Sequence, residues 1–476
     1  MFKKVLIANR GEIATRVIRA CIELDIDTVA IYSEKDSTAL YVKKADEAYM
    51  IGPDPVKGYL NIQRIVDLAL KAGADAIHPG YGFLSENPKF ADLCEKRGIT
   101  FIGPSSKSIE DMGNKLTARE IMKKAGVPVL PGTEEAVKLT GDNEAEVKSI
   151  ARNIGYPIMV KASCGGGGRG LRVARSEEEL IGAMETAASE AGAAFGESEV
   201  FLEKFLEHPH HIEIQILADK FGNVIHLGER DCSIQRRNQK LVEIAPSLLL
   251  DEKIRQKMGE AAIKAAKATD YTNAGTVEFL MDNDKNFYFL EMNTRIQVEH
   301  PVTEEVTGVD LIKKQLEIAS GMPLDIKQED IKMTGFAMEC RINCEDPKNN
   351  FFPSSGRVTA YYSPGGIGVR IDGAIYKDYI VPDCYDSMIV KLIVRGSTWD
   401  ETVKRMSRCL EEFNIRGIKT TIPFLRNIMA DKDFRAGHFD TGFIESKPEL
   451  MQYYEYSEST DIVAAISAAI AAHHGL

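Results

Sequence analysis

The chain has 476 residues, of which 44% are hydrophobic and 27% charged, and its formal net charge is −12. This length predicts about three domains, and the acidic balance argues against a broad nucleic-acid or membrane-surface contact. No apolar run approaches the roughly 18 residues of a membrane-spanning helix, and the eight cysteines include no C-x-x-C pair, which favours reduced thiols in a cytoplasmic protein.

The first hundred residues alternate between strand and helix patterns. Residues 12–24 predict a helix with one apolar stripe, and apolar segments predict strands near residues 5–8, 28–32, 76–78 and 100–102. A parallel α/β domain is therefore expected. Arg16, Arg19 and Glu23 lie off the helix stripe and form either a solvated face or a dimer contact.

A glycine loop, Gly165 to Gly170, lies between two predicted strands of a second module that begins after the break at residues 128–132. The loop lacks the ending of a Walker A motif. Its amides can nevertheless close over phosphate oxygens, and Lys161 stands just before it. Taken alone, the loop is equally typical of a flexible surface hairpin; Lys161, Lys115 and the carboxylates described next favour phosphate binding.

Two β-rich runs, residues 276–281 and 287–292, flank five turn formers and predict an antiparallel hairpin. Folding it about the centre of the turn sets Glu278 opposite Glu291, and directly opposed like charges are destabilising in a sheet. Either one carboxyl is protonated or a cation lies between them. With Asn293 on the same face, the ligands are all oxygens, which suits Mg²⁺ or Mn²⁺. A solvated edge hairpin is the alternative.

The segment from Glu291 to Glu299 is predicted to continue as a strand, with side chains alternating between two faces. One face is entirely polar and would reach about 26 Å at roughly 3.3 Å per residue. It carries Glu291, Asn293, Arg295, Gln297 and Glu299. This row of acids, amides and a cation predicts a surface that holds a charged ligand.

Five longer motifs occur in a fixed order: Asn9 to Ala14, His78 to Leu84, the glycine loop, Glu229 to Ser233, and Glu291 to Glu304. Together they resemble the biotin carboxylase family of ATP-grasp enzymes over most of the chain. The resemblance implies an α/β and α+β fold in three parts, an N-terminal parallel α/β domain, a small mobile lid and a C-terminal mixed β-sheet domain. The expected boundaries are 1–114 for the first domain, 115–131 for a linker helix, 132–204 for the lid, 205–330 for the ATP-grasp core, 331–447 for the C-terminal domain and 448–476 for a helical extension.

The resemblance also implies a reaction. ATP would phosphorylate bicarbonate to carboxyphosphate, which breaks down to CO₂ and phosphate in a closed site, and the biotin ureido nitrogen would then attack CO₂. The nearest match to a biotin attachment motif, Asp330 to Met333, lacks the Ala-Met that such a motif needs. Biotin is therefore expected on a carrier protein, with the carboxyltransferase also on another chain, and the chain itself is expected to form a homodimer.

Individual roles are implied at matching positions. ATP would contact Lys115, Lys161, Gly167, Gly168, Glu203, Lys204, Leu206, His211, Gln235, Asn238, Glu278, Leu280 and Glu291. Two Mg²⁺ or Mn²⁺ ions would bind Glu278, Glu291 and Asn293. Bicarbonate or biotin would contact Lys240, Arg295, Gln297, Val298, Arg341 and Tyr81, with Glu299 as general base and Lys240, Arg295 and Arg341 as the other catalytic residues. Asn238 departs from the family, which often has histidine there, so its ribose contact is in doubt.

The last residues predict an alanine-rich helix over residues 461–473, with Ile462, Ile466 and Ile470 in a narrow stripe. The stripe docks either on its own domain or on a partner protein. The tail resembles the extension of free-standing subunits of two-subunit pyruvate carboxylase, and the 2-oxoglutarate carboxylase subunit is similar there. Pyruvate is the expected acceptor, with acyl-CoA or 2-oxoglutarate as alternatives; another ATP-grasp ligase and an inactive nucleotide-binding scaffold are the remaining hypotheses.

Overall fold

The structure is a computed structural model that describes residues 1–140, 142–162, 171–195, 199–453 and 458–474. Its three parts are those of the ATP-grasp architecture, as the resemblance implied. None of the helices in these ranges is long and apolar enough to cross a membrane. The cysteines in the same ranges are all free thiols.

The N-terminal domain is built on five parallel strands in the order β3-β2-β1-β4-β5. The strands are β1 (Lys4–Ile7), β2 (Asp27–Tyr32), β3 (Glu47–Met50), β4 (Ala76–His78) and β5 (Thr100–Phe101), and the helices are α1 (Gly11–Glu23), α2 (Leu40–Lys44), α3 (Ile62–Ala72), α4 (Pro88–Lys96) and α5 (Ser106–Gly113). The predicted strands and helix are confirmed within a residue or two. Strand β3 was not predicted, because this edge strand is only half-buried and carries no apolar run.

The lid is a small module with its own hydrophobic core. Helix α6 (Lys115–Lys124) leads toward it, and its elements are α7 (Glu144–Ile154), β6 (Ile158–Ala162), β7 (Leu171–Ala174), α8 (Glu177–Phe195) and β8 (Val200–Lys204). The strands form an antiparallel sheet in the order β7-β6-β8. Residues such as Ile158, Met184 and Leu202 pack there into a cluster separate from the rest of the molecule. Gly167 and Gly168 lie outside the described residues.

The largest sheet runs through both the core and the C-terminal part, in the order β13-β12-β9-β10-β11-β14-β21-β19. Its pairings are antiparallel throughout. The strands are β9 (His210–Ala218), β10 (Val224–Arg236), β11 (Gln239–Ala245), β12 (Asn273–Met281), β13 (Phe287–Asn293), β14 (Phe336–Asn343), β19 (Val369–Gly373) and β21 (Met388–Gly396), and the packed helices are α9 (Glu252–Ala268), α10 (His300–Thr307) and α11 (Leu311–Ala319).

Shorter elements complete the C-terminal part. The strands are β15 (Glu345–Asp346), β16 (Phe352–Pro353), β17 (Gly356–Arg357), β18 (Ala360–Tyr362), β20 (Ile380–Val381) and β22 (Asn414–Arg416), and the helices are α12 (Trp399–Glu412), α13 (Ile422–Ala430), α14 (Lys432–Arg435) and α15 (Glu458–His474). Helix α15 is the predicted tail helix. Its side chains from residue 463 to residue 470 are exposed, so docking on its own domain is not observed.

The predicted strand from Glu291 to Glu299 is wrong beyond Asn293. Strand β13 ends at Asn293, a turn follows, and α10 begins at His300. The N–H of Thr294 donates to Glu86 of the N-terminal domain at 3.3 Å. This tertiary contact replaces the next hydrogen bond of the ladder, so the chain leaves the sheet and the fully extended 26 Å row does not form.

Candidate functional site

A row of charged residues crosses four adjacent strands at one level of the large sheet. Arg230 on β10 is in register with Glu213 on β9, Glu213 with Glu278 on β12, and Glu278 with Glu291 on β13. The predicted opposition of Glu278 and Glu291 is therefore confirmed. Because side chains in register point to the same face, the sheet itself concentrates three carboxylates there.

Lys240 on β11 is the cation at the centre of this region. Its Nζ donates to Glu213 Oε2 at 2.7 Å, to Glu278 Oε1 at 2.8 Å and to Glu299 Oε1 at 2.7 Å. Burial alone would lower the pKa of Lys240, but the three carboxylates raise it well above its usual value. We call Lys240 with these three glutamates the inner cluster.

Glu278 is the most heavily hydrogen-bonded carboxylate of the inner cluster. Besides Lys240, it accepts from His211 Nε2 at 2.7 Å, Asn293 Nδ2 at 2.8 Å and Gln297 Nε2 at 2.7 Å. Burial acts to raise the pKa of Glu278, but Lys240 and His211 hold it well below its usual range. The carboxylate is therefore ionised at neutral pH.

Glu291 contrasts with Glu278 across the same strand pair. Its side chain faces solvent, and no donor for it occurs among the described residues. The surrounding protein and the Glu278 charge raise the pKa of Glu291. A carboxylate without a partner beside an ionised one and the amide of Asn293 forms an all-oxygen donor set, which fits Mg²⁺ or Mn²⁺.

Further groups with metal-like spacing lie deeper in the described region, namely His211–Glu213–Glu278 and Glu213–Cys232–Glu299. The Lys240 ammonium lies against the carboxylates of both groups. The protein thus supplies its own cation there. The position that lacks a protein cation is the one next to Glu291.

Glu299 lies just before α10 and is gripped by two cations. Lys240 contacts one oxygen, and Arg341 Nη2 on β14 donates to Oε2 at 3.0 Å. Burial raises the pKa of Glu299, but Lys240 and Arg341 together lower it far below its usual range. Arg341 is itself oriented by Glu243, which accepts from its Nε at 2.5 Å. An ionised buried carboxylate between two cations can accept a proton from an anionic ligand held by those cations.

The turn after β13 keeps its polar side chains near the inner cluster although it is not a strand. Gln297 Oε1 accepts from Arg230 Nη2 at 2.7 Å. Arg295 donates to Glu86 Oε2 at 2.9 Å and to Asn293 Oδ1 at 2.9 Å. The turn is anchored by the buried Ile296, so the three predicted polar residues are brought together by a bend.

Two predicted ligand contacts are tied to the wall behind this turn. The backbone oxygen of Val298 accepts from Lys391 Nζ at 2.7 Å. The Tyr81 hydroxyl donates to Glu12, and burial raises the pKa of Tyr81 well above its usual value. Tyr81 and Val298 thus line the site from the N-terminal domain and the turn, respectively.

A second charged cluster lies where the lid meets α6. Glu203 on β8 pairs with Lys161 on β6 and accepts from Arg119 Nη1 on α6 at 2.8 Å. Burial and the charge of Lys161 lower the pKa of Lys115, while Glu291 and Glu203 act to raise it. These influences place Lys115 between the lid and the metal-type carboxylates. We call Lys115, Arg119, Lys161 and Glu203 the outer cluster.

The remaining predicted nucleotide residues border this cleft. Lys204 directs its ammonium to the carbonyl oxygens of Gly155 and Tyr156, at 3.1 and 2.7 Å, and Leu206 follows β8. Gln235 pairs with Lys240, and Leu280 with His211, in the large sheet. Asn238 occupies the tight β10–β11 turn with φ of 65°, a conformation that asparagine tolerates well.

The sequence reasoning missed four residues that hold the site together: Glu213, Arg230, Arg119 and Lys391. Glu213 had a usable signal, since His211, Glu213 and Gln215 alternate with three buried isoleucines along β9. Arg230 belonged to a motif quoted as a whole but had no assigned role. Arg119 and Lys391 carried no local pattern, because their partners are far away in sequence.

Three family models match the chain almost from end to end. The biotin carboxylase N-terminal domain matches residues 1–109, the ATP-binding domain of the carbamoyl-phosphate synthase L chain matches residues 114–327, and the biotin carboxylase C-terminal domain matches residues 339–446. The matches follow one another without overlap. They cover the parallel domain, the lid with the core, and the C-terminal part in turn.

Three characterised relatives are similar over most of their length. The 2-oxoglutarate carboxylase small subunit of Hydrogenobacter thermophilus is 59% identical over all of both chains. A pyruvate carboxylase subunit of Methanothermobacter thermautotrophicus is 54% identical over 99% of this chain and 98% of its own. Biotin carboxylase 1 of Bacillus subtilis is 57% identical over 94% of this chain and 99% of its own.

A solved structure of the Hydrogenobacter biotin carboxylase domain superposes closely. It is a dimer in complex with MgADP, ADP and bicarbonate, with a TM-score of 0.92 and 59% identity over 96% of this chain and all of that one.

Proposed function

Because the chain belongs to the biotin carboxylase family of ATP-dependent ligases, we propose that it carboxylates biotin carried on a separate protein, in the first half-reaction of a multisubunit carboxylase. The observation that carries this proposal is the arrangement of Glu299 between Lys240 and Arg341, at 2.7 and 3.0 Å. A base and two cations converge there on the space that a small anion would occupy.

The inner cluster and its neighbours would bind and activate bicarbonate. Lys240, Arg295 and Arg341 would hold the anion, with Gln297 and the backbone of Val298 fixing its orientation. Glu299, kept ionised by its two cations, would take the bicarbonate proton as the oxygen attacks the terminal phosphorus of ATP. Arg341 would then stabilise the negative charge that develops on the biotin ureido oxygen, because fixed cations stabilise charge where it forms.

The outer cluster would bind the nucleotide. Lys115 and Lys161 would contact the phosphates, and the polar groups around β8 and His211 would contact the base and the ribose. Glu278, Glu291 and Asn293 would hold Mg²⁺ or Mn²⁺, which when bound supplies positive charge to the phosphate oxygens. Before ATP binds, Lys161 is paired with Glu203, so phosphate binding would exchange one anionic partner for another.

The partners are proposed from the relatives' names and from the surface. A carrier and a carboxyltransferase on another chain would complete the enzyme, and the final acceptor would be a 2-oxo acid, pyruvate or 2-oxoglutarate. A homodimer is proposed through the cleft lined by Arg16, Arg19 and Glu23. Within that cleft Arg16 is committed to Glu304 and Asp310 of its own chain, which leaves the exposed Arg19 for contact with a second copy. We place the activity in the cytoplasm.

Glu291→Gln tests the proposal directly. ADP formation that depends on both biotin and bicarbonate is expected in the wild-type chain and should be lost in the variant, because the donor set for the divalent ion loses its unpartnered charge. Glu260→Gln, an exposed position on α9, is the matched control. Full turnover by Glu291→Gln at saturating Mg²⁺ would refute the metal assignment.

The wild-type chain alone separates the enzyme classes. Phosphate release stimulated by free biotin supports biotin carboxylation. Stimulation by ammonia without a response to biotin would instead identify a carbamoyl-phosphate type of ligase, which the match of residues 114–327 makes the relevant rival. Fixation of labelled bicarbonate into pyruvate, 2-oxoglutarate or an acyl-CoA by the assembled holoenzyme would then identify the acceptor.

A further inference from the structure

Helix α15 carries an apolar stripe that no described part of the chain covers. Val463, Ile466 and Ile470 are 61%, 54% and 55% exposed. Their spacing of three and four residues places them on one face of the helix. The predicted stripe also included Ile462, whose side chain lies outside the described residues. The tail helix thus presents an unpartnered hydrophobic edge.

The composition of this helix is unusual for a solvated surface. Residues 463 to 472 contain no charged side chain, and the face opposite the stripe is alanine, including Ala468 and Ala472. A helix of this length is marginal in water on its own and normally gains its stability by packing an apolar face. An uncharged helix with one larger apolar edge is typical of a segment that inserts into a groove on another protein.

The relatives indicate which protein covers the stripe. The tail, residues 448–476, lies within the length shared with the two relatives named as subunits, which align over 100% and 99% of this chain. Biotin carboxylase 1 of Bacillus subtilis aligns over 99% of its own length but only 94% of this chain. The unmatched 6% is the size of the tail. The extension therefore accompanies the assembly of a multisubunit enzyme rather than the chemistry of the site.

We propose that α15 docks, through the stripe of Val463, Ile466 and Ile470, into an apolar groove on the biotin-bearing subunit of the same holoenzyme. This inference rests on the proposed function, which supplies the biotin-bearing partner. The helix lies beyond the last residue of the catalytic C-terminal part, so a partner held there does not block the cleft. Tethering raises the effective concentration of carrier biotin at the inner cluster.

The test uses the full chain, tagged and expressed in its own organism. The double variant Ile466→Asp/Ile470→Asp places two charges on the stripe, and Ala468→Asp/Ala472→Asp places the same two charges, at the same spacing, on the opposite face. The biotinylated chain that co-purifies is measured by streptavidin blot. Stripe charges are expected to reduce its recovery at least about tenfold, while the control variant retains wild-type recovery.

Two companion measurements make the outcome decisive. Turnover with free biotin should be unchanged in both variants, because the tail is remote from the site, and wild-type turnover with free biotin tests the proposed function separately. Unchanged recovery of the biotinylated chain with the stripe variant would overturn docking. So would a shift of the purified stripe variant from dimer to monomer in sedimentation, since the stripe would then serve a second copy of this chain.

Discussion

The inner and outer clusters hold similar charges but are assembled in different ways. Every member of the inner cluster except Glu299 is placed by strand register in one continuous sheet. The outer cluster instead joins two lid residues, Lys161 and Glu203, to a helix outside the lid. The lid has a hydrophobic core of its own, so only side-chain contacts hold the outer cluster together.

This difference separates two tasks. Charges that must be positioned before a small anion arrives are built into the sheet, where each is satisfied by several partners. Charges that bind the larger nucleotide span a boundary between independently packed parts, where one ion pair can be exchanged for a contact with phosphate. Substitutions in the inner cluster should therefore affect both folding and chemistry, whereas those in the outer cluster should affect nucleotide use alone.

The largest effect is expected at Lys240. Replacement by methionine in Lys240→Met leaves three buried carboxylates without their shared cation, and removing one partner of a buried ion pair costs about 3–5 kcal/mol of stability. Biotin-dependent ADP formation should fall to background, and the midpoint of urea unfolding should fall with it.

Lys220→Met is the matched control, because Lys220 is an exposed lysine that follows β9. It should leave both measurements unchanged. If Lys240→Met kept wild-type stability, the three glutamates would be neutral in the folded protein, and the inner cluster would not be the rigid region described above.

Sequence patterns predicted the parts of the site that are local. The opposition of Glu278 and Glu291 followed from a single hairpin, and the parallel N-terminal domain followed from its alternating strand and helix periods. The convergence of Lys240, Glu213 and Arg341 was not derivable from spacing, since β11, β9 and β14 meet only through a sheet order that mixes distant segments. The strand expected to reach Glu299 failed because Glu86, more than 200 residues away, captures the backbone at Thr294.

A smaller effect is expected in the outer cluster. Lys161→Gln should lower kcat/KM for ATP about 10–100-fold, the equivalent of one charge-assisted hydrogen bond. Stability should change little, because Glu203 keeps its contact with Arg119 at 2.8 Å. Lys148→Gln, another lid lysine that makes only a long 3.9 Å ion pair, should match the wild-type chain. Unchanged kcat/KM for ATP in Lys161→Gln would place the nucleotide elsewhere.

The smallest effect is a pH dependence of stability at Glu243, which orients Arg341 beside the inner cluster. Burial, opposed by the Arg341 charge, raises the pKa of Glu243 to about 7, compared with about 4.3 in an unfolded chain. The folded protein therefore holds this proton more tightly than the unfolded one. The resulting stabilisation is complete below about pH 4.3 and is lost as the pH rises through about 7.

Glu243→Gln removes this titration while keeping an acceptor for Arg341. Between about pH 5.5 and 7.5, the free energy of unfolding of the wild-type chain should fall by about 1–3 kcal/mol relative to that of the variant, measured by urea unfolding. Glu339, which faces Glu243 from β14, also has its pKa raised by burial, but it titrates in both proteins and largely cancels in the difference. Glu329→Gln, at an exposed site, should run parallel to the wild type. A constant difference between wild type and Glu243→Gln would mean that this carboxyl ionises as in water, and that the rigid, dry character assigned to the inner cluster ends at Arg341.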